Sequence, residues 1–166
     1  FLYSIEAMGT NQFAYIPKRG ARDAILFLVI SWLLAFARGT KIGLYCSDVS
    51  GAFDRVDADL LLTKLQAVGI PMKLLEIIRS WLRSRFAQVI VAGTKSKEFV
   101  MNNMVYQGTV WGPPLWNIFY WDSAMAFRQL GFTEIIFADD LNGFKTFANN
   151  IANDIILEEL ETCQNN

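Results

Sequence analysis

The chain has 166 residues, 53% hydrophobic and 19% charged, which excludes wholesale disorder and suffices to bury one core. A net charge of −1 argues against a self-sufficient nucleic-acid-binding module, since such modules carry a basic surface. With no histidine and only Cys46 and Cys163, zinc sites, disulfide frameworks and Ser-His or Cys-His catalysis drop out, and unpaired thiols fit an intracellular, reducing compartment.

The chain opens on Phe1 without the charged segment of a signal peptide, and reads as an excised fragment. After a polar start, Asp23 to Ala37 reads as a buried helix ended by Arg38-Gly39. Its apolar stretch Ala24 to Ala37 looks at first like a membrane span but is short of the roughly 20 residues a bilayer needs. Lys41 to Ser47 reads as a strand. Asp57 is a good N-cap for a helix carrying Leu60, Leu61, Leu65 and Val68; Gly69-Ile70-Pro71 ends it and Pro71 can start the next, through Leu82.

Gln88 to Ala92, the turn Gly93 to Ser96, and Lys97 to Met101 read as a hairpin. A loop from Gln107 to Pro114 leads into an apolar helix from Leu115 to about Leu130. A strand Thr133 to Ala138, an Asp-Asp turn and a strand Leu141 to Thr146 follow. In a last helix, Ile151 to Cys163, residues Ile151, Ile155, Ile156, Leu160 and Cys163 share one face. Hairpins mixed with helices, without regular βαβ alternation, indicate an α+β domain with a largely antiparallel sheet.

Three carboxylates carry the chemistry. Asp48 ends one apolar run and the pair Asp139-Asp140 ends another. Strand ends lie side by side in a sheet whatever their separation in sequence, and carboxylates meeting there repel unless protons or cations intervene. Magnesium takes such hard oxygen ligands together with substrate phosphates, which makes two-metal phosphoryl transfer the first hypothesis. Taken singly, Asp48 is a strand-end turn residue, Asp54 and Asp57 are turn and capping residues, and Phe53 is core. Gln107 to Leu115 is by itself a glycine-bearing turn. Lys18-Arg19-Arg22 and Arg79-Arg83-Arg85 read equally as solvated flanks or phosphate contacts.

Together and in this order, the segments resemble the reverse-transcriptase palm. Asp48-Val49-Ser50-Gly51-Ala52-Phe53-Asp54-Arg55-Val56 is similar to that family's first catalytic motif. Gln107 to Phe119 is similar to its Gln-Gly loop and helix, and Phe137-Ala138-Asp139-Asp140 to its aromatic-Ala-Asp-Asp turn. Gln12 to Ala24 more weakly resembles the segment upstream of the palm, with Arg19 at a basic position. The closest flavour is the non-LTR retrotransposon group, with similarity also to group II intron enzymes. The resemblance implies residues 1–38 as a fingers-proximal segment and apolar helix, and residues 39–166 as palm.

It further implies catalytic roles for Asp48, Asp139 and Asp140. Two Mg2+ ions (Mn2+ as substitute) would be held by Asp48, Asp139 and the main-chain oxygen of Val49, with Asp140 assisting. Phe53 would gate the sugar, and Gln107 and Gly108 would contact nucleotide and template. RNA template, DNA primer and dNTP are the implied partners, with no membrane. Departures are Met104-Val105-Tyr106 where the family has Gly-Val-Pro, Tyr15-Ile16 where it has Phe-Arg, and Trp111, Pro114 and Trp116 in the loop and helix. Most of the fingers, the final Lys-bearing motif and the thumb are missing, so the expected state of this piece alone is inactive. The competing readings are a decayed palm kept as an interaction module and a membrane-associated protein built on Ala24 to Ala37.

Overall fold

The structure, a computed structural model, describes residues 8–83, 85–101 and 103–164. In chain order the elements are α1 (Ala21–Ala37), β1 (Thr40–Ser47), a 3-10 turn (Ala52–Arg55), α2 (Ala58–Ala67), α3 (Met72–Leu82), β2 (Arg85–Ala87), β3 (Ile90–Val91), β4 (Thr94–Lys95), β5 (Phe99–Met101), α4 (Gly112–Gln129), β6 (Thr133–Phe137), β7 (Asp140–Ala148) and α5 (Asn153–Gln164). This is the α+β, antiparallel architecture expected. By packing, one unit holds residues 1–50 and 120–166, the other residues 51–119.

In the first unit the sheet order is β1-β7-β6, all antiparallel. Side chains alternate across it, so Ile42, Ile135, Phe137 and Phe144 share one face. There α1 lays its Ala24, Leu28 and Trp32 stripe, together with Phe13. The opposite face carries Gly43 and Gly143, because neighbouring side chains occupy the space of a Cβ. At Gly43 a Cβ would stand 2.9 Å from Ile156 of α5, and at Gly143 2.2 Å from the Phe127 ring of α4.

The second unit packs α2 on α3. Its fully buried side chains include Leu61, Leu65, Leu82, Val105 and Trp116. The Asp57 cap forms as anticipated, with Leu60 N–H donating to Oδ1 at 2.7 Å.

Several expectations need correction. Residues 24–37 are not a wholly buried helix: only Ala24 and Ala35 are buried, while Ile25, Leu26, Leu33, Leu34 and Phe36 are exposed. One sheet face accepts one stripe of a helix, and a helix apolar all round leaves the rest outside. Among the described residues no helix is long and apolar enough to cross a membrane.

The 88–101 hairpin turns at Ala92-Gly93, both at positive φ, as a type I′ corner requires. Thr94 and Lys95 therefore pair with Val91 and Ile90 instead of forming the turn, and β5 pairs with the unanticipated strand β2. α4 starts at Gly112, taking in Pro113 and Pro114, which the unbonded first turn of a helix tolerates. α5 starts at Asn153, later than Ile151, and Ile155 points outward while Ile156 and Cys163 are buried.

Replacing Gly143 by Ala forces a methyl into the Phe127 ring. Overpacking of this kind costs about 1–3 kcal/mol, so Gly143→Ala is expected to lower the denaturant midpoint at unchanged m-value.

Candidate active site

The Asp-Asp turn is a two-residue hairpin. Phe137 pairs with Asp140, which leaves Ala138 and Asp139 as the corner. The expected placement was one residue late: Ala138 is corner rather than strand, and Asp140 is the first residue of β7. Ala138 has φ +61 and Asp139 is not among the positive-φ residues, a pattern that fits a type II′ corner. An alanine there costs about 1–2 kcal/mol relative to a right-handed residue.

That strain is offset by a residue far away in sequence. The Gln12 side chain is buried and its Oε1 accepts the Ala138 N–H at 3.2 Å and the Ala14 N–H at 2.9 Å. Its Nε2 donates to the Ala138 carbonyl at 3.4 Å. Buried hydrogen bonds contribute about 1 kcal/mol each, enough to hold the corner. The segment is anchored by Ile136 N–H to Asn11 O at 3.0 Å and by Phe13 N–H to Ile136 O at 2.9 Å.

Asp48 reaches the same end of the sheet through β1. Ser47 pairs with Leu141, so Asp48 and Asp140 are the next residues on neighbouring strands. Asp48 and Asp140 are exposed and Asp139 half-buried. Tyr120, on α4 and buried, registers all three: its phenol is pushed up to about 12, first by burial, then by the charges of Asp139 and Asp48, with smaller contributions from Tyr45 and Asp140. Sequence reasoning missed both Tyr120 and Gln12. Tyr120 carries no local signal inside an apolar helix, whereas Gln12 is the one amide flanking the apolar Phe13-Ala14. A cavity of about 260 Å³ is lined by Tyr45, Ser47, Val49, Tyr120, Phe127 and Leu141 among others, which puts the chain neighbours of Asp48 and Asp140 in its wall.

The donor set suits a hard divalent ion: three carboxylates, the Val49 carbonyl as the next main-chain oxygen, and no imidazole or thiolate from the chain's ordinary zinc vocabulary. Among the described residues no three acidic, imidazole or thiol side chains close on one point as metal ligands do. Side chains as open as Asp48 and Asp140 change rotamer within nanoseconds. Among the described residues, none of the three acids is in an ion pair.

Phe53, Gln107 and Gly108 belong to the other unit. Phe53 is buried, stacked on Trp116 at 5.6 Å, and its carbonyl accepts the Val105 N–H at 2.8 Å. Gln107 and Gly108 are exposed, and Gly108 takes φ +78. Thr109 Oγ1 donates to Tyr106 O at 2.8 Å and accepts the Gly112 N–H at 3.1 Å, which shapes the loop into α4.

The basic clusters are partly consumed by structure. Arg19 donates to the carbonyls of Thr10 and Gln12 and lies over Phe13. Arg83 pairs with Asp59. Arg85 donates to Leu82 O and Met104 O with its guanidinium over Trp81 and Tyr106.

A family model described as reverse transcriptase (RNA-dependent DNA polymerase) matches residues 1–165. No curated protein matches. Among solved structures 20 chains match. One of them, an apo telomerase from Candida tropicalis truncated from the C-terminal domain, superposes with a TM-score of 0.71 at 13% identity. That match covers 99% of this chain and 35% of the telomerase chain, so the present chain spans about a third of that length. At this identity the likeness concerns the fold.

Tyr120 supplies an optical reporter of the acids. Between pH 10.0 and about 12 the folded chain keeps the phenolic proton that an unfolded chain has lost, so this residue's contribution to stability falls as pH rises through that window. In a tyrosinate absorbance titration, Asp139→Asn is expected to move the latest-titrating phenol downward, and Tyr120→Phe to remove that step.

Proposed function

The chain belongs to the reverse transcriptase (RNA-dependent DNA polymerase) family, and from that premise we propose that it is the palm of an RNA-directed DNA polymerase of the non-LTR retrotransposon type. The reaction proposed is attack of a primer 3′-hydroxyl on the α-phosphate of a dNTP, directed by an RNA template. The observation that supports it most is the placement of Asp48 beside Asp139-Asp140 at the ends of adjacent strands.

Asp48, Asp139 and the carbonyl of Val49 would hold two Mg2+ ions, with Asp140 assisting. Bound there, such ions make the hydroxyl a better nucleophile and neutralise the leaving pyrophosphate. The chain's own contribution is position. β1 and β7 set the spacing of the carboxylates, and the tight corner at Ala138 aims Asp139. Phe53 would stand under the sugar as the gate against a ribose 2′-hydroxyl, with Trp116 stacked behind it to keep the ring from yielding. Gln107 and Gly108, open to solvent, would meet the incoming nucleotide and template.

The remaining grip on nucleic acid is assigned to fingers and thumb outside these residues. The net charge of −1 and the internal use of Arg19, Arg83 and Arg85 support that assignment. Positioning supplies a large part of polymerase rate, so the 166 residues alone are proposed to be inactive. A second reading, a palm kept as an interaction module, draws on Tyr106, which replaces the family's proline. Its ring is built into a stack under Arg85, 4.4 Å from the guanidinium.

The test is RNA-templated primer extension in Mg2+. The 166-residue chain should show none, whereas the palm joined to its flanking coding sequence should extend. Asp139→Asn should abolish that extension by more than the roughly 100-fold that loss of an outer-sphere partner costs. Extension that survives Asp139→Asn would defeat the polymerase reading. A joined protein that binds template-primer yet never extends it would favour the interaction module.

A further inference from the structure

The Asp139 carboxylate is carried on a corner that its own sequence does not favour. Ala138 has a positive φ without being glycine, and its N–H and carbonyl are both taken by one buried side-chain amide from 126 residues earlier. The Gln12 amide thus acts as one more peptide unit, continuing past Ile136 a pairing that the backbone makes at Asn11 and Phe13. It is itself fixed by the Ala14 N–H, while Arg19 holds the carbonyls of Gln12 and Thr10 from the outer side.

We propose that Gln12 is the positioning residue of the site: its amide locks the Ala138 corner and thereby sets how tightly Asp139 and its neighbours hold a divalent ion. This rests on the reading of Asp48, Asp139 and Asp140 as the cation-binding set. Three like-charged carboxylates push one another apart, and they do so at a hairpin tip, the part of a sheet with least backbone support. A corner bonded on both its donor and its acceptor resists that push. A corner lacking the amide relaxes toward right-handed φ and carries Asp139 with it. Partners that orient a ligand without touching the ion are worth about 10–100-fold in metal affinity.

The experiment is Mn2+ binding to the 166-residue chain, followed by the loss of the free-ion electron paramagnetic resonance signal. Gln12→Met keeps the volume and removes the amide. It is expected to weaken Mn2+ by about tenfold with near-UV circular dichroism unchanged. Adding Ala138→Gly to that variant should bring most of the affinity back, because glycine takes positive φ without penalty. Mere loss of core packing at Gln12 would not be rescued in that way.

Equal affinity in wild type and Gln12→Met, or a loss that Ala138→Gly leaves untouched, overturns the proposal. A wild-type chain that binds no Mn2+ defeats the metal-site reading itself, a distinct failure. If Gln12→Met does not fold, amide exchange in the wild type decides. An Ala138 N–H protected as well as that of Ile136 supports the clamp, and one exchanging like an open turn overturns it.

Discussion

The pairing of β1 with β7 is the constraint on which the rest depends. Its register runs without interruption from Thr40 opposite Ala148 to Ser47 opposite Leu141. A slip of one residue would turn every side chain of β1 to the wrong face and take Asp48 away from Asp140. Two glycines guard against that slip. Gly43 lies under Ile156 and Phe147, and Gly143 under Phe127, at distances that leave no room for a methyl. Shifting β1 by one position in either direction would press Ile42 or Leu44 into the space kept by Gly43. The geometry of the acids is therefore held by packing several residues away from them.

Much of this was legible in the sequence, and the misses share a cause. The strands ending in Asp48 and before Asp139 were visible because apolar runs stop at acids. The corner itself was set one residue late, since alanine carries no turn signal and the interaction that makes it a turn comes from Gln12. The helix expected over Asp23 to Ala37 reads as buried from its apolar run, its length and its flanking charges. Hydrophobicity tells how much of a helix could be covered, whereas the single β1-β7-β6 face tells how much is: the Ala24, Leu28, Trp32 stripe. At 88–101 the turn lay at Ala92-Gly93 because both residues take positive φ, which Gly93 announces and Ala92 does not.

The departures from the family pattern are absorbed by local packing. Val105 is fully buried and ties its N–H to the Phe53 carbonyl at 2.8 Å, joining the first motif's 3-10 turn to the segment before Gln107. Tyr106 and Trp81 meet edge-on and Arg85 lies over both rings, its Nη2 donating to Leu82 O and Met104 O at the end of α3. Trp116 backs Phe53. Bulky residues at 106 and 116 thus fill space between elements of the second unit. Gln107 and Gly108 remain on the surface between them.

Charge is distributed to the same end. Of the arginines, Arg19 closes the Thr10–Gln12 segment, Arg83 answers Asp59, Arg85 caps α3, and Arg128 meets the buried Glu134 at 2.5 Å. Lys145 is committed to Glu159. These five cations are committed within the fold, and Tyr120 stays protonated near the strand-end acids because burial and their charge both disfavour phenolate. A protein that neutralised Asp48, Asp139 and Asp140 internally would gain stability at that edge and lose any affinity for an external cation. Here the acids keep their charge at the ends of two strands, with Asp48 and Asp140 exposed and Asp139 on a corner bonded by Gln12.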